Sequence, residues 1–258
     1  PECDLIKPEE LKSLLNEYQM KMNMLATVVY AKTHGLSLSS GIPEERMRAV
    51  NGCKRNIDYA ASMGCGIIIG FLKGGPGSDR EVSERLFLES MLELKPYIEA
   101  KKVQVLIEAT NHKEASIIRT LKEGAHVINF LDCPFIQLLA DTYHMNIEEP
   151  SQVDSLSEYM NYYPHLHISD DNRAYPGLGS LDFTAIYRKL MECGYKGTVA
   201  VEGNIQHGLL EGGDRAEING LFQKIPVYAE LSDGNPEDFC PDSDVGKEKK
   251  GGNCLGDH

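Results

Sequence analysis

Four residues in this chain sit where a short apolar run ends. Glu108 closes Val-Leu-Ile-Glu, Asp141 closes Leu-Leu-Ala-Asp, His167 lies in His-Leu-His-Ile-Ser-Asp, and Glu202 closes Val-Ala-Val-Glu. A carboxylate at the end of a buried run is unfavourable unless something of opposite charge faces it. Taken singly, such a group is usually solvated or salt-bridged. Four together, each on its own run, suit a shared divalent cation, and three carboxylates with one imidazole form a mostly hard donor set. That set favours Mn²⁺, with Mg²⁺ or Co²⁺ as alternatives, over zinc.

The surrounding pattern shows what must position these groups. Short apolar runs at 24–30, 66–71, 103–108, 136–141, 166–170 and 198–202 read as strands covered on both faces. Helix signals separate them. Pro8 and Pro43 suit first helical positions, Ser78/Glu81 and Thr120/Glu123 read as capping boxes, Asp182 as an N-cap, and Gly64 and Gly194 as stops. Strand followed by helix, repeated, predicts a parallel α/β fold. Of its two common forms, the barrel gathers every strand's C-terminal end around one mouth, whereas an open doubly wound sheet would scatter the four residues. No G-x-G-x-x-G follows the first run. The expectation is therefore a (β/α)8 TIM barrel in which only six strands are visible. The first two would lie before Pro1, with 3–6 at best the end of the second. Residues 1–230 read as the catalytic domain and 231–258, rich in Gly, Asp, Lys and Pro, as a flexible polar tail.

Composition narrows the partners. A formal charge of −13 disfavours a nucleic-acid partner, and no apolar run approaches the roughly 20 residues of a membrane helix. The seven cysteines are widely spaced with no C-x-x-C pair, which argues against a disulfide framework and for the cytoplasm, with Cys53, Cys65 and Cys193 as core thiols. His165, two residues before His167, lies on the same side of its strand and reads as a core histidine. The run from Gly74 to Ser78 reads as a plain loop.

The stretches Asp-Thr-Tyr-His-Met-Asn-Ile-Glu-Glu (141–149) and His-Leu-His-Ile-Ser-Asp-Asp-Asn-Arg-Ala-Tyr-Pro-Gly-Leu-Gly-Ser-Leu-Asp-Phe (165–183) closely resemble the sugar isomerase/epimerase branch of the xylose isomerase-like barrels. The similarity is nearest to the tagatose/psicose-type ketose 3-epimerases, then to the hydroxypyruvate isomerases. It implies that Glu108, Asp141, His167 and Glu202 bind the metal, and that Glu108 and Glu202 are also the acid–base pair. It further implies that His144, Arg173 and Glu114 contact a small sugar substrate, and that the protein forms dimers or tetramers. Proton transfer beside a ketone, through an enediolate, is the implied chemistry: one Glu removes the proton and the other returns one to the opposite face. Two departures fall on the substrate side. Glu-Ala-Thr-Asn-His stands where the family often has Glu-Pro-Leu-Asn-Arg, and Gly203 follows Glu202. The alternatives are a lyase on the same barrel, such as an inosose-type dehydratase or a C-glycoside-cleaving subunit, and, with less support, an endonuclease IV-like nuclease.

Overall fold

The computed structural model describes residues 6–77 and 79–203. Six parallel strands lie side by side in chain order: β1 (Met24–Ala26), β2 (Gly66–Ile69), β3 (Val105–Glu108), β4 (Ile136–Asp141), β5 (His165–Ile168) and β6 (Thr198–Val201). The helices are α1 (Pro8–Glu17), α2 (Val28–His34), α3 (Pro43–Met63), α4 (Arg80–Lys101), α5 (Leu121–Leu131), α6 (Thr142–Glu148), α7 (Gln152–Glu158) and α8 (Phe183–Glu192). Residues 3–5 of the predicted segment 3–6, the helix that the sequence suggests from about Asp214 to Glu230 and the polar tail lie outside the described residues.

The alternation of side chains along each strand builds two separate apolar layers. Ile67, Ile69, Val105, Ile107, Ile136, Leu138, Ala140, Leu166 and Ile168 face outward. They share one core with Val50, Cys53 and Ile57 of α3, Phe87, Met91 and Leu94 of α4, and Ile186 and Leu190 of α8. The opposite parity faces inward. Ile68, Leu106 and Leu139 form a small second cluster with Met24, and Gln104 donates to Gln137 at 3.0 Å below it. Glu108 and Asp141 continue the inward parity of Leu106 and Leu139, so they stand directly above that plug. This is the layered interior of a barrel, whose chemistry sits at the strands' C-terminal end.

The sequence expectations need correction in several places. The run at 24–30 is a strand only to Ala26. Thr27 then turns the chain, its backbone N–H and hydroxyl both donating to the Ile68 carbonyl, and Val28–His34 is helical up to the left-handed Gly35. Burial of Tyr30 and Ala31 outweighs the weak helix propensity of the two valines. Helix α4 is capped by Asp79, which accepts from the Val82 N–H, so the cap is one residue later than Ser78. Thr120 and Asp182 cap α5 and α8 as expected. Leu11, Leu14, Leu15 and Tyr18 read from the sequence as one apolar face of the helix opening at Pro8, yet none of them is buried: Leu11 packs only partly against the core and Leu14 is 51% exposed. Of the three expected core thiols only Cys53 is buried, whereas Cys65 and Cys193 are half-buried. No helix among the described residues is long and apolar enough to cross a membrane.

Candidate active site

In a flat sheet the ends of β3 and β6, three strands apart, would lie about 14 Å from each other. Instead, Glu108, Asp141, His167 and Glu202 each offer a donor atom, all within 4.8 Å of one another. The sheet curls to bring them together, and no other such group of His, Cys, Asp or Glu occurs among the described residues.

Asp141 is fully buried and fixed from three sides. One carboxylate oxygen caps α6 by accepting from the Tyr143 and His144 N–H groups at 2.8 and 3.4 Å. Arg173 donates to both of its oxygens at 2.9 Å. Because Asp141 caps α6, His144 lies on the first turn and its ring falls beside the cluster, with Nε2 3.7 Å from Glu108 Oε1. Arg173 also donates to Glu202 Oε2 at 2.9 Å, and His167 Nδ1 lies 2.7 Å from the same oxygen. Arg173 is held there by its loop. The buried Asp170 accepts from the backbone N–H groups of Asp171, Gly177 and Leu181, which draw the loop around it. Arg173 itself adopts a positive φ of 62°.

The electrostatics show what this cluster lacks. Burial, reinforced by repulsion from Glu202 and Asp141, pushes Glu108 up to about 8. Burial likewise pushes Asp141 up to about 6, against the pull of Arg173. Glu202 is brought down to about 2: burial works against ionisation there, but the His167 hydrogen bond and the charges of His167 and Arg173 outweigh it. Three carboxylates this close do not all ionise on Arg173 and His167 alone, so the donor set fits a divalent cation. The cation must then displace the protons of Glu108 and of His167, whose pKa the Glu202 hydrogen bond raises against the effect of burial. Mn²⁺ affinity is expected to rise steeply with pH up to about pH 8 and level off above it, with about two protons released near neutral pH. Calorimetric titration in two buffers of different ionisation enthalpy measures both quantities. An affinity independent of pH, with no proton released, would contradict this reading.

One cleft collects the remaining residues. Glu108, His144, His167, Arg173, Glu202 and Glu114 line it, together with Thr110, Gly70 and an apolar wall that includes Ala26, Val28 and Phe71. All seven residues singled out from the sequence thus belong to one neighbourhood, with the Asp141 carboxylate tucked beneath the cleft. His144 is pulled down to about 3 by burial and by the charges of Arg173 and Lys73, so its ring is neutral. His165 is buried and lies against His167, ring centroids 5.1 Å apart. It is brought down to about 4, by burial first and by the charge of His167 second.

Two polar residues near the cleft were not foreseen. Lys73 is fully buried, and its ammonium donates to the Glu108 carbonyl at 2.9 Å and to the Thr110 hydroxyl. Burial lowers it to about 8, against the pull of Glu108 and Glu114. Asn111, also fully buried, bonds His144.

The sequence profile of the xylose isomerase-like TIM barrels matches residues 2–220. The chain belongs to that family. Within it, the chain is 26% identical over 211 residues to a D-psicose 3-epimerase of Enterocloster bolteae, covering 80% of this chain and 70% of the relative. It is 36% identical over 102 residues to a 3-dehydro-D-guloside 4-epimerase of Escherichia coli, covering 40% of this chain and 39% of the relative. The crystal structure of the E. coli 3-keto-D-glucoside 4-epimerase superposes with a TM-score of 0.71 at 24% identity, over 84% of this chain and 83% of that one, which supports the fold. These named members of the xylose isomerase-like family are carbohydrate epimerases, enzymes of the isomerase class.

Proposed function

We propose that this chain is a divalent-metal-dependent epimerase of a ketose, acting at carbon 3, with Glu108 and Glu202 as its acid–base pair. The observation that carries the reading is that two carboxylates from separate strands border one small cleft alongside an arginine, a neutral histidine and a third Glu. Glu108, Asp141, His167 and Glu202 would hold the cation. When bound, it supplies positive charge beside the substrate's oxygens, which acidifies the neighbouring C–H.

The chain's residues do the rest. Glu202, kept ionised by Arg173, would take the proton from one face of the carbon, and Glu108, after taking up a proton in the loaded site, would deliver it to the other face. The substrate's configuration decides which acts first. Arg173, His144 and Glu114 hold its oxygens, and Ala26, Val28 and Phe71 keep water from the reacting carbon. Mn²⁺ suits the donor set, with Mg²⁺ or Co²⁺ as substitutes. The catalytic domain spans 1–230, with 231–258 a tail outside it. The protein works in the cytoplasm as a homodimer or homotetramer, on a small sugar and without nucleic acid.

The E. bolteae relative supports the carbon-3 assignment, while the E. coli relative is a 4-epimerase, so the test must report which carbon reacts. The Mn²⁺-loaded protein is incubated in D₂O with a panel of ketoses and 3-keto sugars and followed by proton NMR. Loss of the C3 proton signal with appearance of the epimer is expected. Exchange at C4 would move the reaction one carbon along. Loss of a leaving group would mark a lyase. No exchange with any sugar at full metal occupancy would defeat the epimerase reading.

A further inference from the structure

Asn111 occupies a special place between the cleft and the backbone. Its orientation is fixed by a donor that cannot change role: the Lys113 backbone N–H donates to Asn111 Oδ1 at 3.0 Å. The other end of the amide is therefore the NH₂ group, and it faces His144 Nδ1 at 2.7 Å. A second backbone donor, the Asn111 N–H itself, points to the same ring nitrogen at 3.3 Å. A nitrogen that receives two N–H groups cannot carry a proton. The ring's one proton must then lie on Nε2, the nitrogen on the Glu108 side, 3.7 Å from Oε1. The same Asn111 NH₂ reaches Glu114 Oε1 at 3.4 Å.

We infer that Asn111 is a positioning residue that locks His144 as the Nε2–H tautomer and aligns it with Glu114, so that His144 presents a fixed hydrogen-bond donor to a substrate oxygen and takes no part in carrying protons. The step from donor to substrate rests on the epimerase reading, whereas the tautomer itself does not. A ring whose Nε2 already bears its proton cannot remove one from carbon. It suits a carbonyl or hydroxyl oxygen that gains negative charge as the neighbouring C–H is lost. Proton transfer is thereby left to the two carboxylates. The substrate class this favours places an oxygen acceptor beside the reacting carbon, as a 2- or 3-keto sugar does.

The tautomer can be read with no sugar present. In the ¹⁵N-labelled full chain, long-range proton–nitrogen correlation, assigned against His144→Gln, is expected to show a pyridine-like Nδ1 and a pyrrole-like Nε2–H. Asn111→Asp replaces the donor by an acceptor, so it should move a proton onto Nδ1. It should also lower kcat about 10–100-fold at saturating Mn²⁺, a condition needed because the added carboxylate lies beside the four-donor cluster. Asn111→Leu, which removes the side-chain donor without adding charge, should broaden the ring signals into a mixture of tautomers. It serves if the Asp variant fails to fold. A wild-type ring with its proton on Nδ1, or a ring and kcat unchanged in the variants, would overturn the assignment. An inactive wild-type protein with the Nε2–H ring would instead defeat the epimerase reading and leave the tautomer standing.

Discussion

Glu202→Gln is expected to slow interconversion of the two epimers by about 10²–10⁴-fold while leaving slow proton exchange in one of them. The amide keeps the size of the carboxylate and can still accept from Arg173, which now donates at 2.9 Å. It cannot take a proton from carbon. Metal affinity will also fall, since Glu202 belongs to the four-donor cluster, so the comparison is made at saturating Mn²⁺ established by titration. Glu108 remains on the other side of the cleft. For the epimer whose hydrogen faces it, Glu108 can remove and return a proton from the same face, and deuterium from D₂O enters without inversion. Glu108→Gln should show the mirror result, with exchange confined to the opposite epimer. A single-base mechanism would instead lose exchange and inversion together in one variant and neither in the other. Full interconversion by the metal-saturated Glu202→Gln protein would remove Glu202 from the acid–base pair.

The positions of the four clustered donor residues were legible in the sequence because strand geometry is unforgiving. A charged residue that ends an apolar run must face either water or a counter-charge, and the barrel sends alternate side chains to one interior. His144 was legible only through the family resemblance, and the fold supplies the reason: Asp141 caps α6 and so places the residue three positions on upon the first helical turn. Lys73 was not. It stands in Phe-Leu-Lys-Gly-Gly, a string that reads as exposed loop, and its partners Glu108 and Thr110 are 35 and 37 residues away. The same contact accounts for one departure from the family pattern: Thr110, where leucine is frequent, supplies a hydroxyl to a buried ammonium. Helix α2 was missed because β-branched residues followed a strand without a break, and only the turn at Thr27, bonded to Ile68 across the sheet, separates them. The face of α1 misled in the opposite way: an amphipathic stripe states what a helix can bury, and among the described residues only Leu11 of that stripe packs against the core.

Gly70→Ala is expected to disable the site while barely touching the fold. Gly70 has a negative φ of −98°, so its need is for closeness and not for left-handed backbone. A Cβ built there would overlap Glu108 Oε2. Because that atom is the free end of a side chain, the carboxylate can yield by swinging away. Glu108 would then leave the cluster, whose donor atoms now lie within 4.8 Å of one another. A displacement near 1 Å in such a constellation lowers turnover by about 10²-fold, and Mn²⁺ affinity should fall with it. Gly124→Ala provides the contrast. Its added Cβ would meet Leu138 Cδ2 at 2.6 Å, in the outer core between α5 and β4 and not in the four-donor cluster. Overpacking of that kind costs about 1–3 kcal/mol of stability, offset in part by the better helix propensity of alanine. Denaturant unfolding and Mn²⁺ titration of the two variants separate the effects. Gly70→Ala should bind metal weakly at near-native stability, and Gly124→Ala should bind it normally at reduced stability. If Gly70→Ala keeps its metal affinity and turnover, Glu108 has room to move without leaving the site, and the close approach of Gly70 is packing alone.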